Sequence, residues 1–291
     1  MKIVFAVLTI LVGQFSVADD RCQPAPLNIL LTNDDGVTTV GILEMHRALI
    51  AAGHNVKRIA PNTNYSGTSG SLTLRGVTVE DLSSDEFPSV YAVSGSPATS
   101  VILGATVIFQ PNEPLDLIVS GINDGPNIGP APTASGTVGA VLTGLNMLHP
   151  AVPGIAISTR PIVEDESSGE YRGHFANVAS FVSRVVSVIG CDDPSLLNTN
   201  QALHINYPPV EPAAVKGVRR AEQGKRHRRL AYISDEDGVF SIRRTTELDS
   251  SPTEFDDAML FEEGYITVVP IDGEYTAVPV FEIDQILAVR P

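Results

Sequence analysis

The fold is decided by residues 27–36, LNILLTNDDG, in which an apolar run ends in two adjacent carboxylates and a glycine. Such a run is typical of a buried strand that carries acidic side chains to its C-terminal edge. Asp34 and Asp35 would repel each other there, and a hard cation such as Mg²⁺, Mn²⁺ or Ca²⁺ would relieve the repulsion. A plain polar turn is the alternative, because Asn33 and Gly36 are also common turn residues.

The pattern that follows predicts an α/β architecture. A helix is predicted over 41–50, and Gly53 is expected to end it. A second strand is predicted over 55–61. A strand, helix and strand of this length predict a right-handed parallel crossover. Further elements are predicted along the chain, namely strands over 72–79, 90–93, 115–120, 155–158 and 203–207, and helices that begin near 97 and 135 and span 175–189.

Polar groups follow two more of these strands. Asn123 comes shortly after the strand over 115–120, among glycines that would let backbone N–H groups approach an anion. Ser66 lies in a loop rich in hydroxyls and glycine, 61–71, for which a flexible polar loop is the alternative. Because the carboxyl ends of parallel strands meet at one sheet edge, these oxygens are candidate ligands of one cation.

A helix N-terminus is predicted at Ser135, Gly136 and Thr137. Its free amides and two hydroxyls could hold a phosphate, and an ordinary Ser or Thr cap is the alternative. No Gly-x-Ser-x-Gly elbow with a paired acid and His supports a serine hydrolase.

The end of the chain has a different pattern. Residues 218–242 and 263–271 are typical of strands without helices between them, and 280–287 of a closing helix. We therefore divide the domain into a core over 27–207 and a β-rich extension over 208–291.

Charge restricts the partners. The formal net charge of −15 argues against long nucleic acids and anionic membranes, which require a broad basic face. It leaves room for a small anionic substrate in a cleft that holds a cation. The one dense basic run, KRHRR at 225–229, fits either a solvated hairpin tip or a source of positive charge for such a cleft, on this or a neighbouring subunit.

The N-terminus predicts export. Residues 1–18 have one positive charge, a short apolar run and small residues before Ala18, as in a signal peptide cleaved there. The rest, 19–291, would form one domain without a membrane span, in the periplasm or secreted. In an oxidising compartment Cys22 and Cys191 could form a disulfide.

The chain resembles the SurE family of metal-dependent survival-protein nucleotidases. The motifs that carry the resemblance occur in the family's order and spacing: ILLTNDDG at 29–36, AP at 60–61 with YSG at 65–67, VSGIN at 119–123 with GPNIG at 125–129, SGTV at 135–138 and, more loosely, EEGYIT at 262–267. Together they cover nearly all of the chain after the signal peptide.

The resemblance implies a Rossmann-like three-layer core with a mostly parallel sheet, and a β-hairpin extension used to form a homodimer or homotetramer. The residues that it implies for the site are Asp34, Asp35, Ser66 and Asn123 on one divalent metal, Asn127, Ser135, Gly136 and Thr137 on the phosphate, and Asn33 and Gly36 in support. The implied activity is hydrolysis of nucleoside 5′- and 3′-monophosphates, which we expect to proceed by in-line attack of a metal-activated water. Asp34 and Asp35 are the expected catalytic residues, since either could also orient this water.

Some positions depart from the family pattern. Thr99 and Ser100 replace a usual aspartate and cysteine, Ala134 replaces a frequent aromatic residue, and 130–132 replaces a polar loop. None of these positions is a metal ligand, so the departures bear on the choice of substrate. The alternatives are a broad-specificity secreted acid phosphatase or exopolyphosphatase and, outside the enzymes, a catalytically silent module that binds metal or nucleotide.

Overall fold

The computed structural model describes residues 25–191, 194–225, 228–234, 237–248 and 253–274. The proposed signal peptide, Cys22 and the predicted helix over 280–287 lie outside these residues. The disulfide between Cys22 and Cys191 therefore stays a prediction. Most side chains of the basic run at 225–229 also lie outside the described part of the chain, so the role predicted for this run stays a prediction.

The described residues form eleven strands and five α-helices. The strands are β1 (Asn28–Thr32), β2 (Asn55–Pro61), β3 (Val79–Asp81), β4 (Val90–Val93), β5 (Leu117–Asp124), β6 (Gly154–Thr159), β7 (Ala202–Tyr207), β8 (Val218–Arg220), β9 (Arg228–Ser234), β10 (Phe240–Leu248) and β11 (Ile266–Ile271). The helices are α1 (Val40–Ala51), α2 (Pro97–Leu103), α3 (Gly136–Met147), α4 (Gly169–Cys191) and α5 (Asp257–Glu262), and α2 continues as a π-helix over Gly104–Ile108.

Nine strands form one sheet in the order β3-β4-β2-β1-β5-β6-β7-β11-β8. β1 lies in the middle and pairs in parallel with β2 and β5. The run from β4 through β7 is parallel throughout, while β3 and β11 are antiparallel to their inner neighbours. The C-terminal ends of β1, β2 and β5 therefore meet at one edge, which confirms the predicted mostly parallel core.

Helices cover both faces of this sheet. Side chains alternate along β1, so Ile29 and Leu31 pack in the layer with α1 and α4, and Leu30 packs in the layer with α2 and α3. Helix α4 has the length and apolar composition of a membrane span, with a mean hydropathy of 1.3. The apolar composition of α4 is explained by its packing, because Phe175 and Val182 are fully buried against the sheet.

Strands β9 and β10 form a separate antiparallel sheet, which we call the hairpin arm. It presents large apolar side chains to solvent, and these are Tyr232, Ile233, Phe240 and Ile242. The predicted β-hairpin extension is thus confirmed. Strands β8 and β11, from the same part of the chain, instead continue the main sheet.

Three element predictions need correction. Residues 72–78 do not form the predicted strand, and only Val79–Asp81 pairs, with β4. A short helix, α5, interrupts the region predicted as strands only, because the Asp256 side chain caps it by accepting from the amides of Ala258 and Met259. The strand predicted to end at residue 120 continues to Asp124, since β6 pairs with this extension as well.

Candidate active site

The segment after β1 forms a closed turn. The Asn33 side chain donates to the Gly36 carbonyl at 2.9 Å and accepts from the Gly36 amide at 3.2 Å. Gly36 has φ +125°, in a region that favours glycine. The polar turn is therefore present, and it carries Asp34 and Asp35 toward different neighbours.

Asp34 faces the start of helix α3. It is 3% exposed, and its Oδ1 accepts a 2.6 Å hydrogen bond from the Thr137 hydroxyl. Gly136 lies directly against it, because a Cβ at that position would be 2.8 Å from the Asp34 Cβ. The helix start and the carboxylate thus form one unit, in which the hydroxyl fixes the orientation of the acid.

Asp35 faces the end of β5. Its Oδ2 accepts from the Asp124 backbone amide at 3.0 Å. The Asp124 carboxylate is exposed and accepts from the Tyr171 hydroxyl at 2.8 Å, which connects this side of the site to α4. The two adjacent acids therefore span the two helix layers of the fold.

The loop that contains Ser66 is fixed to the site at two points. The Tyr65 amide donates to the Asp34 carbonyl at 2.7 Å, and the Ser69 amide donates to the Ala134 carbonyl at 3.0 Å. Ser66 itself is exposed, and its backbone amide bonds to the Asn64 side chain. Its hydroxyl is thus available to a ligand above the sheet edge.

Asn123 lies within β5, in register with Ser158 of β6. It is 8% exposed, and its amide nitrogen donates to the Gly125 carbonyl at 2.5 Å. That bond leaves the side-chain oxygen as an acceptor without a hydrogen-bond donor in the described part of the chain. The side-chain oxygen of Asn123 is thus available as a neutral ligand for a cation.

The charge balance of the site fits a cation. Burial raises the pKa of Asp34 against the opposing hydrogen bond from Thr137. Burial also raises the pKa of Asp35 to about 7, and repulsion from Asp34 and Asp124 adds to this shift. Among the described residues no Lys or Arg pairs with either acid, so a bound cation would supply the missing positive charge.

The donor set is oxygen-only and contains few acids. No group of three or more His, Cys, Asp or Glu side chains is arranged to hold a metal within the ranges that the structure describes. A metal at Asp34 and Asp35 would therefore complete its shell with neutral oxygens, from Ser66, Asn123 and water. Such a shell suits Mg²⁺, Mn²⁺ or Ca²⁺.

The comparisons with known proteins agree with this geometry. The family described as Survival protein SurE matches residues 29–230, most of the chain. The chain belongs to the SurE family. Its SurE relatives include the 5′-nucleotidase SurE of Pseudoalteromonas atlantica, 33% identical over 258 residues, which are 86% of this chain and 94% of the relative.

Two further SurE proteins extend the comparison. The 5′/3′-nucleotidase SurE of Yersinia enterocolitica is 31% identical over 256 residues, with 86% of this chain and 93% of the relative covered. The crystal structure of the SurE protein from Aquifex aeolicus aligns with a TM-score of 0.67 at 30% identity and covers 86% of this chain and 94% of its own. The fold is therefore that of a known SurE structure.

The phosphate side expected from the SurE resemblance lies around α3 and the loop after β5. The Ser135 hydroxyl accepts from the Val138 amide at 3.2 Å, so the ordinary helix cap is present. Its hydroxyl proton remains available to an anion. Thr137 is fully buried and donates to Asp34, and its contact with phosphate stays a prediction.

Asn127 is held by two residues that the sequence analysis missed. Its side chain donates to the Ser158 hydroxyl at 2.8 Å, and its backbone amide donates to Asn206 Oδ1 at 2.8 Å. Asn206 is itself buried and bonded to His204. Ser158 and Asn206 lie near the C-terminal ends of β6 and β7. A polar residue at the C-terminal end of a buried strand is also the sequence signal that identified Asp34.

Proposed function

We propose that this chain is a metal-dependent phosphatase that hydrolyses nucleoside 5′- and 3′-monophosphates. One observation carries the proposal: two adjacent carboxylates have no Lys or Arg partner among the described residues, and one of them, Asp34, is buried against the N-terminus of α3. The acids suit a cation and the helix start suits a phosphate, so the pair suits a phosphate ester bound beside a metal. The nucleotidase names of the relatives support the choice of substrate.

The proposed metal ligands are Asp34, Asp35, Ser66 and Asn123, and we expect Mg²⁺ or Mn²⁺ in preference to Ca²⁺. When bound, the cation supplies Lewis-acid chemistry toward a phosphoryl oxygen and water. The Thr137 hydroxyl keeps the Asp34 carboxylate in one orientation through its 2.6 Å bond. The Asp124 amide does the same for Asp35 at 3.0 Å.

The phosphate is bound by neutral donors. The Ser135 hydroxyl and the second side-chain N–H of Asn127 would donate to the nonbridging oxygens, beside the positive end of the α3 dipole. Hydrolysis forms a P–O bond to water and breaks the P–O bond to the ribose, so the products are a nucleoside and inorganic phosphate. This transfer depends on positioning and charge neutralisation and needs no protein nucleophile.

The direct test replaces Asp34 with Asn and measures phosphate release from AMP by metal-stripped protein resupplied with Mg²⁺, Mn²⁺ or Ca²⁺. We expect Asp34→Asn to lose nearly all metal-dependent activity and to retain a cooperative thermal transition. Asp85→Asn is the matched control, because Asp85 is an exposed acid outside the site and its replacement removes the same charge. Full activity of Asp34→Asn, or of the wild type in excess chelator, would contradict the metal mechanism.

A substrate panel tests the nucleotide assignment. The panel contains 5′-AMP, 3′-AMP, polyphosphate and p-nitrophenyl phosphate. Higher kcat/KM for the two nucleotides supports the proposal. Preference for polyphosphate or equal turnover of all four would instead indicate the broad phosphatase, and absence of turnover with retained metal binding would indicate the silent module.

We further propose that the hairpin arm joins copies of the chain into a dimer or tetramer. Its exposed Tyr232 and Phe240 would otherwise leave a large apolar surface in water. Phe240→Ser should lower the molar mass measured by light scattering, whereas Leu74→Ser, at an even more exposed apolar side chain outside the arm, should not. A monomeric wild type at micromolar concentration would exclude this role.

Export is the last part of the proposal. Cleavage after Ala18 would leave Asp19 as the first residue, which intact-mass measurement of the protein recovered from its producing cells can determine. The same measurement after alkylation, with and without reductant, reports whether Cys22 and Cys191 are joined. An unprocessed N-terminus would contradict export by a signal peptide.

A further inference from the structure

A fully buried carboxylate lies behind the phosphate side of the site. Asp257, the first residue of α5, is 0% exposed. Its Oδ1 accepts from the backbone amides of Gly129 and Gly224, each at 3.0 Å. Gly129 ends the loop that carries Asn127, so the acid contacts the backbone two residues from a proposed phosphate ligand.

The second partner of Asp257 belongs to the base of the hairpin arm. Residues 222–224 lead into the arm and 253–257 lead out of it. These two segments are bonded to each other, because the Glu222 amide donates to the Phe255 carbonyl at 2.8 Å and the Asp257 amide donates to the Glu222 carbonyl at 3.0 Å. One carboxylate oxygen therefore joins both ends of the arm to the 127–129 loop.

We propose that Asp257 is a positioning residue, which holds the 127–129 loop against the base of the hairpin arm and so keeps Asn127 in place for phosphate. The inference rests on the proposed function for its kinetic consequence, but the bond to the Gly129 amide can be tested without any substrate. No hydrogen bond joins the Asp257 carboxylate to a proposed metal ligand in the described part of the chain, so Asp257 acts through the backbone of the loop.

The two carboxylate oxygens of Asp257 differ in a way that supplies a sharp control. Oδ1 accepts both backbone bonds, whereas Oδ2 is buried and has no partner among the described residues. Asp257→Asn can keep the oxygen that accepts and place its NH₂ group where Oδ2 lies. Asp257→Leu has a similar size but removes the acceptor, which leaves two buried amides without a partner.

The experiment compares the wild type with Asp257→Asn and Asp257→Leu. Each protein is assayed for thermal unfolding, Mn²⁺ affinity, KM for AMP, the inhibition constant of inorganic phosphate, and hydrogen exchange of peptides that contain Gly129. We expect Asp257→Leu to weaken phosphate inhibition and raise KM about tenfold, because a charged acceptor of two backbone donors is lost. Mn²⁺ affinity should be unchanged, and exchange at Gly129 should be faster. Asp257→Asn should match the wild type in Mn²⁺ affinity, KM, phosphate inhibition and exchange at Gly129.

Loss of Mn²⁺ affinity together with phosphate affinity would indicate a general structural defect and overturn the inference. Unchanged phosphate inhibition and unchanged exchange in a folded Asp257→Leu would overturn it too. If Asp257→Leu does not unfold cooperatively, Asp257→Ser replaces it, since its short hydroxyl cannot reach both amides. Wild type that hydrolyses no nucleotide would contradict the proposed function alone, because the exchange and Mn²⁺ measurements still decide the role of Asp257.

Discussion

Gly136→Ala is expected to damage the candidate metal site while it leaves the fold intact. Gly136 is the first residue of α3, and a Cβ there would lie 2.8 Å from the Asp34 Cβ and 2.9 Å from its Oδ2. Asp34 has little freedom to move away, because it is buried and bonded to Thr137. The added methyl group must therefore displace a proposed metal ligand.

The size of the effect follows from these distances. Ordinary contact begins at 3.4 Å, so the Asp34 Cβ has to shift by about 0.6 Å and its Oδ2 by about 0.5 Å. Misplacement on this scale lowers the rate about tenfold to hundredfold where positioning decides it. The change in helix propensity acts in the opposite direction on stability, because Ala favours a helix over Gly by about 1 kcal/mol.

The assay is kcat/KM for AMP as a function of Mn²⁺ concentration, with the Tm of each protein measured in parallel. Gly169→Ala is the matched control, since Gly169 is the first residue of α4 and no atom lies within 4 Å of its added Cβ. We expect the control to retain wild-type kinetics. The same Mn²⁺ dependence and rate in Gly136→Ala as in wild type would refute the placement of the metal at Asp34.

Three further predictions concern stability. Mn²⁺ should raise the Tm more at about pH 8.5 than at about pH 5.5, because protons compete with the cation for Asp35, whose pKa is raised to about 7. An equal rise in Tm at both pH values would count against a metal on this acid. Burial raises the pKa of Asp257 from 3.8 to about 6. As the pH rises through this range, ionisation of Asp257 therefore lowers the free energy of unfolding of the wild type by up to about 3 kcal/mol. Asp257→Asn should abolish that part of the pH dependence in urea titrations, and an unchanged slope would contradict it. Gly173→Ala, in open space within α4, should add about 1 kcal/mol to the free energy of unfolding with unchanged kcat, and a loss of stability would show a hidden contact.

The sequence predicted most of the core because its elements are long and their apolar period is regular. The strand over 55–61 and the helix near 41–50 were found within a residue of their ends. The six-residue helix α5 was missed, since its signal is a cap and one turn rather than a period. The strand end at 120 was placed four residues early, because the extension through Asn123 is set by pairing with β6.

The candidate site was predictable in part for a similar reason. Acids and amides that follow an apolar run can be seen in the sequence, and Asp34, Asp35 and Asn123 were identified in this way. Contacts between distant segments cannot be seen, such as the bond from Thr137 to Asp34 across 103 residues. Asn206 was within reach of the same rule, because it too lies near the C-terminal end of a buried strand.

The hydrogen bond between the Gly129 amide and Asp257 has a consequence for the synthesis of the protein. Its two residues are 128 positions apart, and Asp257 lies near the end of the chain. During synthesis, the proposed metal ligands are all present long before this anchor emerges from the ribosome. A product that stops short of Asp257 would carry all four proposed metal ligands but lack both this anchor and β11 of the main sheet. Full activity would thus be reserved for chains that have been completed.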